Sequence, residues 1–397
     1  MIGVRLAVLT NIPTPYRSVF FDRLAFELQR NKGELLVVYC ARTEWNRHWK
    51  LSDTDLRHPY WFAPGMSGRV GDYTLHVNAG VLRRLRQFRP TAVVVGGAWN
   101  MPASMAVAFL GRRVGLGKPI LWSEGHADAV LNASGPIAWL RRLVLRRFEV
   151  FAVPNARGER YITGEVGPGR TFMRLPNVVD DEFYTPAPPE MREALRRQKG
   201  LNADETVFVQ VAQLEERKGV LELLQAFARL REQHVSARMV LIGTGRLASR
   251  IMTEYARLLN DGSLRMTGNL PAEGVREWLR AADVFVLASH RDPNPLSVIE
   301  AALTGCPLIL SAWVGNALEL LDPHRNGWLV ENNTPSELNK AMENAVLSAS
   351  ELVGMGQHSR DIAMRDFGLG RVVEDFVRHI STTRLTSPTP TRHSPHA

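Results

Sequence analysis

Two carboxylates, Asp292 and Glu300, stand eight residues apart where an apolar run gives way to a helical pattern. Residues 284–288 read VFVLA, 289–295 read SHRDPNP, and 296–304 read LSVIEAALT, followed by Gly305-Cys306-Pro307 and a second apolar run. Strand, loop, helix, strand is the βαβ unit of a parallel sheet. Its loop leaves the carboxyl end of a strand and enters a helix N-terminus, the place where such sheets hold ligands. Backbone N–H groups at a helix start donate to phosphates, and carboxylates accept from paired hydroxyls. A ligand carrying both, such as a nucleotide sugar, suits the arrangement. Leu296 and Ser297 supply the first amides, whereas Pro295 has no N–H to give. Two solvated surface acids are the bland alternative.

Apolar runs and helical patterns alternate along nearly the whole chain, which predicts an α/β architecture with parallel sheets. In the first half, strands are expected at 4–9, 35–40, 92–95, 120–122 and 150–153. Helices are expected near 16–30, 79–88, 102–110, 135–148 and 157–164. Residues 184–190 (YTPAPPE) hold three prolines in four positions and read as a linker. Beyond it the alternation restarts, with strands at 206–211, 238–242, 264–267, 284–288 and 308–310. Helices are expected at 219–232, 247–259, 273–281, 296–304, 336–347 and 369–380. The expected organisation is an N-terminal domain over 1–183, a hinge over 184–190 and a C-terminal domain over 191–380. A Ser, Thr and Pro-rich tail, 381–397, is expected to be disordered. A cleft between two such halves is the default ligand site.

Size and composition bound the rest. The 397 residues suit two or three domains, with 45% hydrophobic and 22% charged residues and a mean hydropathy of −0.14. No apolar run reaches the ~18 residues of a membrane span, and the first residues, MIGVRLAVLTNIPTPYR, lack the pattern of a signal peptide. Cys40 and Cys306 are the only cysteines and stand in no ligand spacing, so a reducing cytoplasm is expected. The net charge of +9 is an arginine excess, concentrated at Arg83, Arg84, Arg86 and Arg89 and at Arg141, Arg142, Arg146 and Arg147. In the second cluster Ile137, Leu140, Val144 and Phe148 form an apolar stripe with Arg142 and Arg146 turned away from it. A solvated helix face explains these clusters, and so does attraction to an anionic membrane surface or a phosphorylated acceptor. No basic–aromatic interleaving points to nucleic acid.

Five stretches follow in fixed order: VAQLEERKGVLELLQAF (211–227), LIGTGRL (241–247), TGNLPAEGVREWLRAADVFVLAS (267–289), DPNPLSVIEA (292–301) and VGNALELL with NGWLV (314–321, 326–330). Together they resemble the retaining glycosyltransferases of the family 4 type, which have the two-domain GT-B fold. The first half is similar more loosely, in TNIPTPYR, LWSEGHADA and LPNVVDDEFY. The resemblance implies two Rossmann-like domains facing across an interdomain cleft, with a C-terminal helix near 369–380.

It also implies site roles. Asp292 and Glu300 match the family's acid-x7-acid motif, its usual first Glu being Asp here. Glu300 is then expected to grip the nucleotide ribose, and Asp292 to lie by the donor sugar. Lys218, in EERKG just before a helix, resembles the lysine that meets the diphosphate. Gln213 stands where the family has an arginine, so it can hydrogen-bond but brings no charge. Pro295 stands where glycine is usual. Leu296, Ser297 and Asn294 complete the donor-binding set. His126 in SEGHADA matches a histidine that touches donor sugar hydroxyls; Glu124 competes with it, and Tyr16 and Arg17 are candidates on the acceptor side. Asp292, His126 and Lys218 are thus the expected catalytic residues.

Two look-alikes are set aside. Residues 243–248 (GTGRLA) mimic a dinucleotide fingerprint, but the next strand ends without the ribose-binding acid. Asp53-Thr54-Asp55 mimics a metal-binding DxD, yet follows no strand, and the resemblance requires neither metal nor cofactor. The expected function is transfer of a sugar from a nucleotide-diphosphate donor to an acceptor hydroxyl with retention of configuration. By resemblance the setting is bacterial glycan or glycolipid assembly, in the cytoplasm or at the inner face of the plasma membrane. Domain closure about the prolines is expected to exclude water from the donor. A nucleotide-sugar epimerase or hydrolase of the same fold, or a non-catalytic binding subunit, are the alternatives.

Overall fold

A computed structural model describes residues 3–45, 53–70, 73–126, 134–233 and 236–382. The chain divides into two compact units, Met1–Pro176 with Val372–Ala397, and Asn177–Arg371.

The first unit carries a seven-stranded parallel sheet in the order Tyr60–Phe62, Glu34–Tyr39, Arg5–Thr10, Ala92–Val95, Ile120–Trp122, Val150–Val153, Thr171–Arg174. A separate antiparallel hairpin pairs Gly65–Val70 with Tyr73–Asn78. Both faces of the sheet are covered, so its five central strands are buried almost throughout rather than alternating. Ala7, Leu9, Val93, Val95 and Phe151 pack with Leu85, Val107 and Phe148 on one side. On the other, Phe20 of the helix Pro15–Arg30 meets Trp122 and Phe376. Phe376 belongs to the last helix, Leu369–Thr382, whose Val373, Phe376 and Ile380 are buried.

The second unit repeats the plan with six strands: Leu264–Gly268, Ala237–Ile242, Thr206–Val211, Val284–Leu287, Leu308–Ser311, Gly327–Val330. Alternate residues feed opposite layers. Val207, Val209, Phe285 and Leu287 meet the helices Ala272–Ala281 and Leu296–Thr304. Phe208, Leu241, Val284 and Val286 meet Val220–Gln233 and Pro335–Leu347. In each sheet the order reverses between its first strand and the strand beside it, Arg5–Thr10 against Ala92–Val95 and Thr206–Val211 against Val284–Leu287. Each unit therefore has one topological switch point, where open α/β sheets bind ligands.

Two boundaries differ from the sequence expectation. The division falls after Pro176, upstream of the prolines at 184–190, and the chain from Val372 belongs to the first unit. The reason is anchorage. Tyr184 is 6% exposed within the second unit's core, and Arg280 holds both the carbonyl and the hydroxyl of Thr185 at 2.8 and 2.7 Å. The helix Pro189–Gln198 follows at once and is tied to Asp283 through Arg192 and Arg196. Residues 184–190 are thus part of a packed unit. Of the tail expected to be disordered, 381–397, Ser381 and Thr382 instead close the last helix, and 383–397 lie outside the described residues. No helix among the described residues is long and apolar enough to cross a membrane.

Candidate functional site

At the second unit's switch point, the strand Thr206–Val211 runs into Ala212, Gln213 and Leu214, then a single 3₁₀ turn, Glu216–Lys218. Gly219 ends that turn in the left-handed region at φ 62°, and a Cβ there would lie 1.7 Å from the Ala288 carbonyl oxygen. Only glycine lets the turn press against the end of the neighbouring strand. The GTGRL stretch does the same from the other side. A Cβ on Gly243 would meet the Ala212 carbonyl at 2.0 Å, while Leu214 N–H donates to Thr244 O and Leu247 N–H to Leu214 O, both at 3.0 Å. Its glycines therefore serve close backbone packing.

The loop over residues 289–295 is fixed at both ends. His290 N–H donates to Arg217 O at 2.9 Å, and Gly315 N–H donates to Asp292 O at 2.7 Å. Asn316 Nδ2 caps the loop through the Pro295 carbonyl at 3.1 Å. A Cβ on Gly315 would sit 1.7 Å from Pro293 O, so the VGNALELL stretch exists to hold this loop.

These supports bring Lys218 and Asp292, 74 residues apart, into a direct ion pair. They are 9% and 8% exposed. Burial pushes the Lys218 ammonium below its ordinary pKa, and the Asp292 carboxylate opposes that shift. Gln213 also has a partner: Arg217 donates to its Oε1 at 2.6 Å and to Glu215 at 2.9 Å. The charge that Gln213 lacks is thus held beside it by Arg217, a residue the sequence reading passed over although it is i+4 from Gln213 and next to Lys218.

Pro295 is the N-cap of Leu296–Thr304 and makes no side-chain cap, leaving the first-turn amides of Leu296 and Ser297 without an intrahelical partner. Both amide atoms of the Asn294 side chain are buried with no hydrogen-bond partner among the described residues. Glu300, one turn further along, is pushed up to about 7 by burial, against which the Tyr184 hydroxyl works by hydrogen bonding to it. Every second-unit residue expected in the site, Gln213, Lys218, Asp292, Asn294, Leu296, Ser297 and Glu300, lies at or beside this one switch point.

The first unit's switch point opens into a cavity of about 650 Å³ lined by Asn11, Tyr16, Arg17, Trp122, Glu124 and His126, among others. Thr14 caps the helix Pro15–Arg30, and proline opens it, an arrangement suited to a helix start. The cap delivers Arg17 to the sheet ends. Its guanidinium donates to Thr10 Oγ1 and Gly96 O at 2.8 Å and to Glu124 at 2.9 Å, and stacks 4.5 Å over Trp122. Burial works against that charge, but Glu124 and Tyr16 more than offset it and raise the Arg17 pKa. Arg17 and Glu124 are therefore partners. His126 is 4% exposed; the rest of its motif, 127–129, lies outside the described residues. Glu44 also lines the cavity and is held by buried His76 at 3.2 Å; nothing in the local sequence marks either.

Among the described residues, no three or more His, Cys, Asp or Glu side chains converge as a metal site.

Residues 191–361 match the family described as Glycosyl transferases group 1. Over 137 residues the chain is 33% identical to a putative teichuronic acid biosynthesis glycosyltransferase, TuaC, of Bacillus subtilis, covering 34% of this chain and 32% of that protein. Over 240 residues it is 26% identical to a GDP-mannose-dependent monoacylated alpha-(1-6)-phosphatidylinositol monomannoside mannosyltransferase of Corynebacterium glutamicum, covering 58% and 61%. The chain thus spans about a third to three-fifths of the length of these curated relatives. Anabaena Alr3699/HepE, solved in complex with UDP, shares the fold with a TM-score of 0.76 at 15% identity, over 96% of this chain and 100% of that one. The two doubly wound units are those of the GT-B fold.

Proposed function

We propose that this chain transfers a sugar from a nucleotide-diphosphate donor to an acceptor hydroxyl, retaining the anomeric configuration and using no metal ion. The observation that carries the reading is the second unit's switch point. There a buried, exchangeable Lys218–Asp292 pair, an uncapped helix start and an unpartnered Asn294 amide meet at the carboxyl ends of two strands. In the free chain Lys218 neutralises Asp292. A diphosphate competes for the ammonium and leaves the Asp292 carboxylate to accept from sugar hydroxyls. The leaving diphosphate gathers negative charge as the bond from the anomeric carbon to its oxygen breaks. Lys218, the Leu296 and Ser297 amides and the Gln213–Arg217 pair act on that charge. The acceptor oxygen bonds to the anomeric carbon on the same face, and its proton passes to the departing phosphate oxygen. Glu300 holds the ribose.

We assign His126 to the donor sugar and the first unit's cavity, with Tyr16, Arg17 and Glu124, to the acceptor. Bacterial glycan or glycolipid assembly is the proposed setting, supported by the teichuronic acid relative. The family match over 191–361 and the complexes of the HepE structure with UDP and with UDP-glucose support a nucleotide-sugar donor. A cytoplasmic location at an anionic membrane surface belongs to the same proposal. Trp139 and Ile137 are 65% and 52% exposed on the helix Gly135–Leu145 that carries Arg142, whereas Arg141 is buried against Glu165 and adds nothing to that surface. Co-sedimentation with anionic liposomes that weakens with salt is expected; binding that ignores salt returns these arginines to a solvated face.

The deciding experiment incubates the protein with UDP-, GDP-, ADP- and dTDP-sugars, with and without glycan and lipid-linked acceptors, and reads product anomers by NMR. An acceptor-dependent product of retained configuration is expected. Inversion, or free or epimerised sugar formed without acceptor, contradicts the proposal.

A further inference from the structure

Among the described residues, the hairpin Gly65–Val70 with Tyr73–Asn78 pairs with no strand of the seven-stranded sheet, and one of its faces shows what it does. Ser67 lies directly opposite His76, and Arg69 opposite Thr74. Alternation along the strands therefore puts Ser67, Arg69, His76 and Asn78 on the same side. That side meets the chain as it leaves the strand Glu34–Tyr39. Asn78 Nδ2 donates to the carbonyls of Cys40 and Ala63 at 2.8 and 3.0 Å, and Arg69 stacks 4.0 Å over the Trp45 ring. His76 is fully buried, with Nε2 3.2 Å from Glu44 Oε1 and Nδ1 2.7 Å from Ser67 Oγ. Donation from Nε2 to the carboxylate and from the Ser67 hydroxyl to Nδ1 satisfies both ring nitrogens. From the sheet side, the N–H groups of Cys40 and Ala41 donate to the Thr10 and Asn11 carbonyls at 3.0 and 2.9 Å. Residues 40–45 are thus braced along the end of the first strand, at the first unit's switch point.

The brace delivers Glu44, its side chain 11% exposed, to the cavity of about 650 Å³. Asn11 belongs to the same lining, and its Oδ1 is buried with no hydrogen-bond partner among the described residues. A Cβ on Gly97 would lie 2.4 Å from that oxygen, so glycine leaves it its place. Both groups are acceptors, and a buried acceptor without a donor is costly. The guanidiniums described in the lining are, by contrast, spent. Arg17 is held by Thr10, Gly96 and Glu124, and Arg141 by both oxygens of Glu165 at 3.1 and 3.0 Å. Trp99 and Tyr161 add apolar surface for the C–H face of a sugar ring. From this geometry we propose that the cavity takes an uncharged sugar whose hydroxyls donate to Glu44 and Asn11, and that His76 is the positioning residue for Glu44. The proposal rests on the acceptor role given to this cavity above and names the acceptor's class. A phosphorylated or carboxylated sugar would meet Glu44 with like charge.

The test is saturation-transfer NMR of the full chain with the methyl glycosides of glucose, galactose, mannose and N-acetylglucosamine, set against glucose 6-phosphate and glucuronate. Wild type is compared with Glu44→Gln, Asn11→Ala, His76→Phe and His76→Gln. At least one neutral glycoside should bind, and the two anions should bind at least about tenfold more weakly. Glu44→Gln should weaken the bound glycoside about tenfold, the worth of a hydrogen bond to a charged group, and Asn11→Ala about fivefold. His76→Phe fills the space without an N–H. It should lose as much as Glu44→Gln and add nothing to it in the double variant. His76→Gln restores a donor and should recover most of the loss. Binding of no neutral glycoside, tighter binding of an anion, or binding that ignores Glu44 and Asn11 overturns the proposal. A His76→Phe loss that His76→Gln does not recover overturns the positioning role alone. The acceptor reading fails separately, if a glycoside binds through Glu44 yet neither receives sugar nor inhibits transfer when a nucleotide-sugar donor is supplied.

Discussion

The two units share one topology and one kind of crevice, yet they hold charge in opposite ways. In the first, the Arg17 guanidinium is consumed on all sides by Thr10, Gly96, Glu124 and the Trp122 face. It is a latch across three strand ends. In the second, Lys218 reaches a single side-chain partner, Asp292, and the neighbouring helix start has no cap. That charge can be handed to a ligand. A switch point is therefore only a place; what its residues can do depends on how many of their bonds the fold has already used.

The largest effect separating the two should come from Lys218→Gln. Loss of the cation at the diphosphate is expected to cost at least ~100-fold in donor turnover, measured under saturating acceptor. Because Asp292 is left buried without its counter-charge, chemical denaturation should also show about 3 kcal/mol of lost stability. Arg17→Ala should reverse the pattern. It leaves Glu124 unpaired and opens the latch, destabilising the chain by about 2 kcal/mol and raising the acceptor KM. Nucleotide affinity should stay unchanged, and a parallel loss of nucleotide binding would break the comparison.

Glu300 gives a third, smaller contrast. Its folded pKa of about 7 stands above its ordinary 4.5, so between those values the folded state holds a proton that the unfolded state has released. Stability from this group is present below pH 4.5 and is lost as pH rises to 7. Glu300→Gln removes the penalty, and its Tm should pull ahead of wild type by a few degrees, roughly, between pH 5 and 8. A Tm difference that does not change with pH would remove burial as the cause. The smallest effect is expected from Arg217→Ala, about fivefold in nucleotide affinity, if its guanidinium supplies what Gln213 lacks. No change would leave Gln213 to act alone.

The second unit was the more legible in the sequence, and the reasons are physical. Its candidate site residues fall on three short stretches whose glycines and helix starts are set by local backbone geometry, and Lys218, Asp292 and Glu300 were named through the family resemblance those stretches carry. The strands Ala92–Val95, Ile120–Trp122, Val150–Val153 and Thr206–Val211 and the helices Pro102–Leu110 and Leu296–Thr304 were readable as continuous apolar runs or periodic patterns. Tyr60–Phe62 and Thr171–Arg174 escaped notice because they are short and only partly buried edge strands. The helix Pro189–Gln198 was hidden by its polarity. It is held by Arg192 and Arg196 on Asp283, an ion network between residues some ninety positions apart that no periodicity reveals. The same holds for Arg217 beside Gln213. Tertiary pairing of this kind leaves no local mark.

The most direct measurement compares nucleoside diphosphate binding by titration calorimetry in wild type, Lys218→Gln, Glu300→Ala and Arg17→Ala. One base series should bind the wild type. Lys218→Gln and Glu300→Ala should each weaken it at least about tenfold, and Arg17→Ala should leave it alone. Equal losses at Arg17 and Lys218, or unaltered binding at Lys218 and Glu300, would contradict the assignment of the nucleotide to the second unit's switch point.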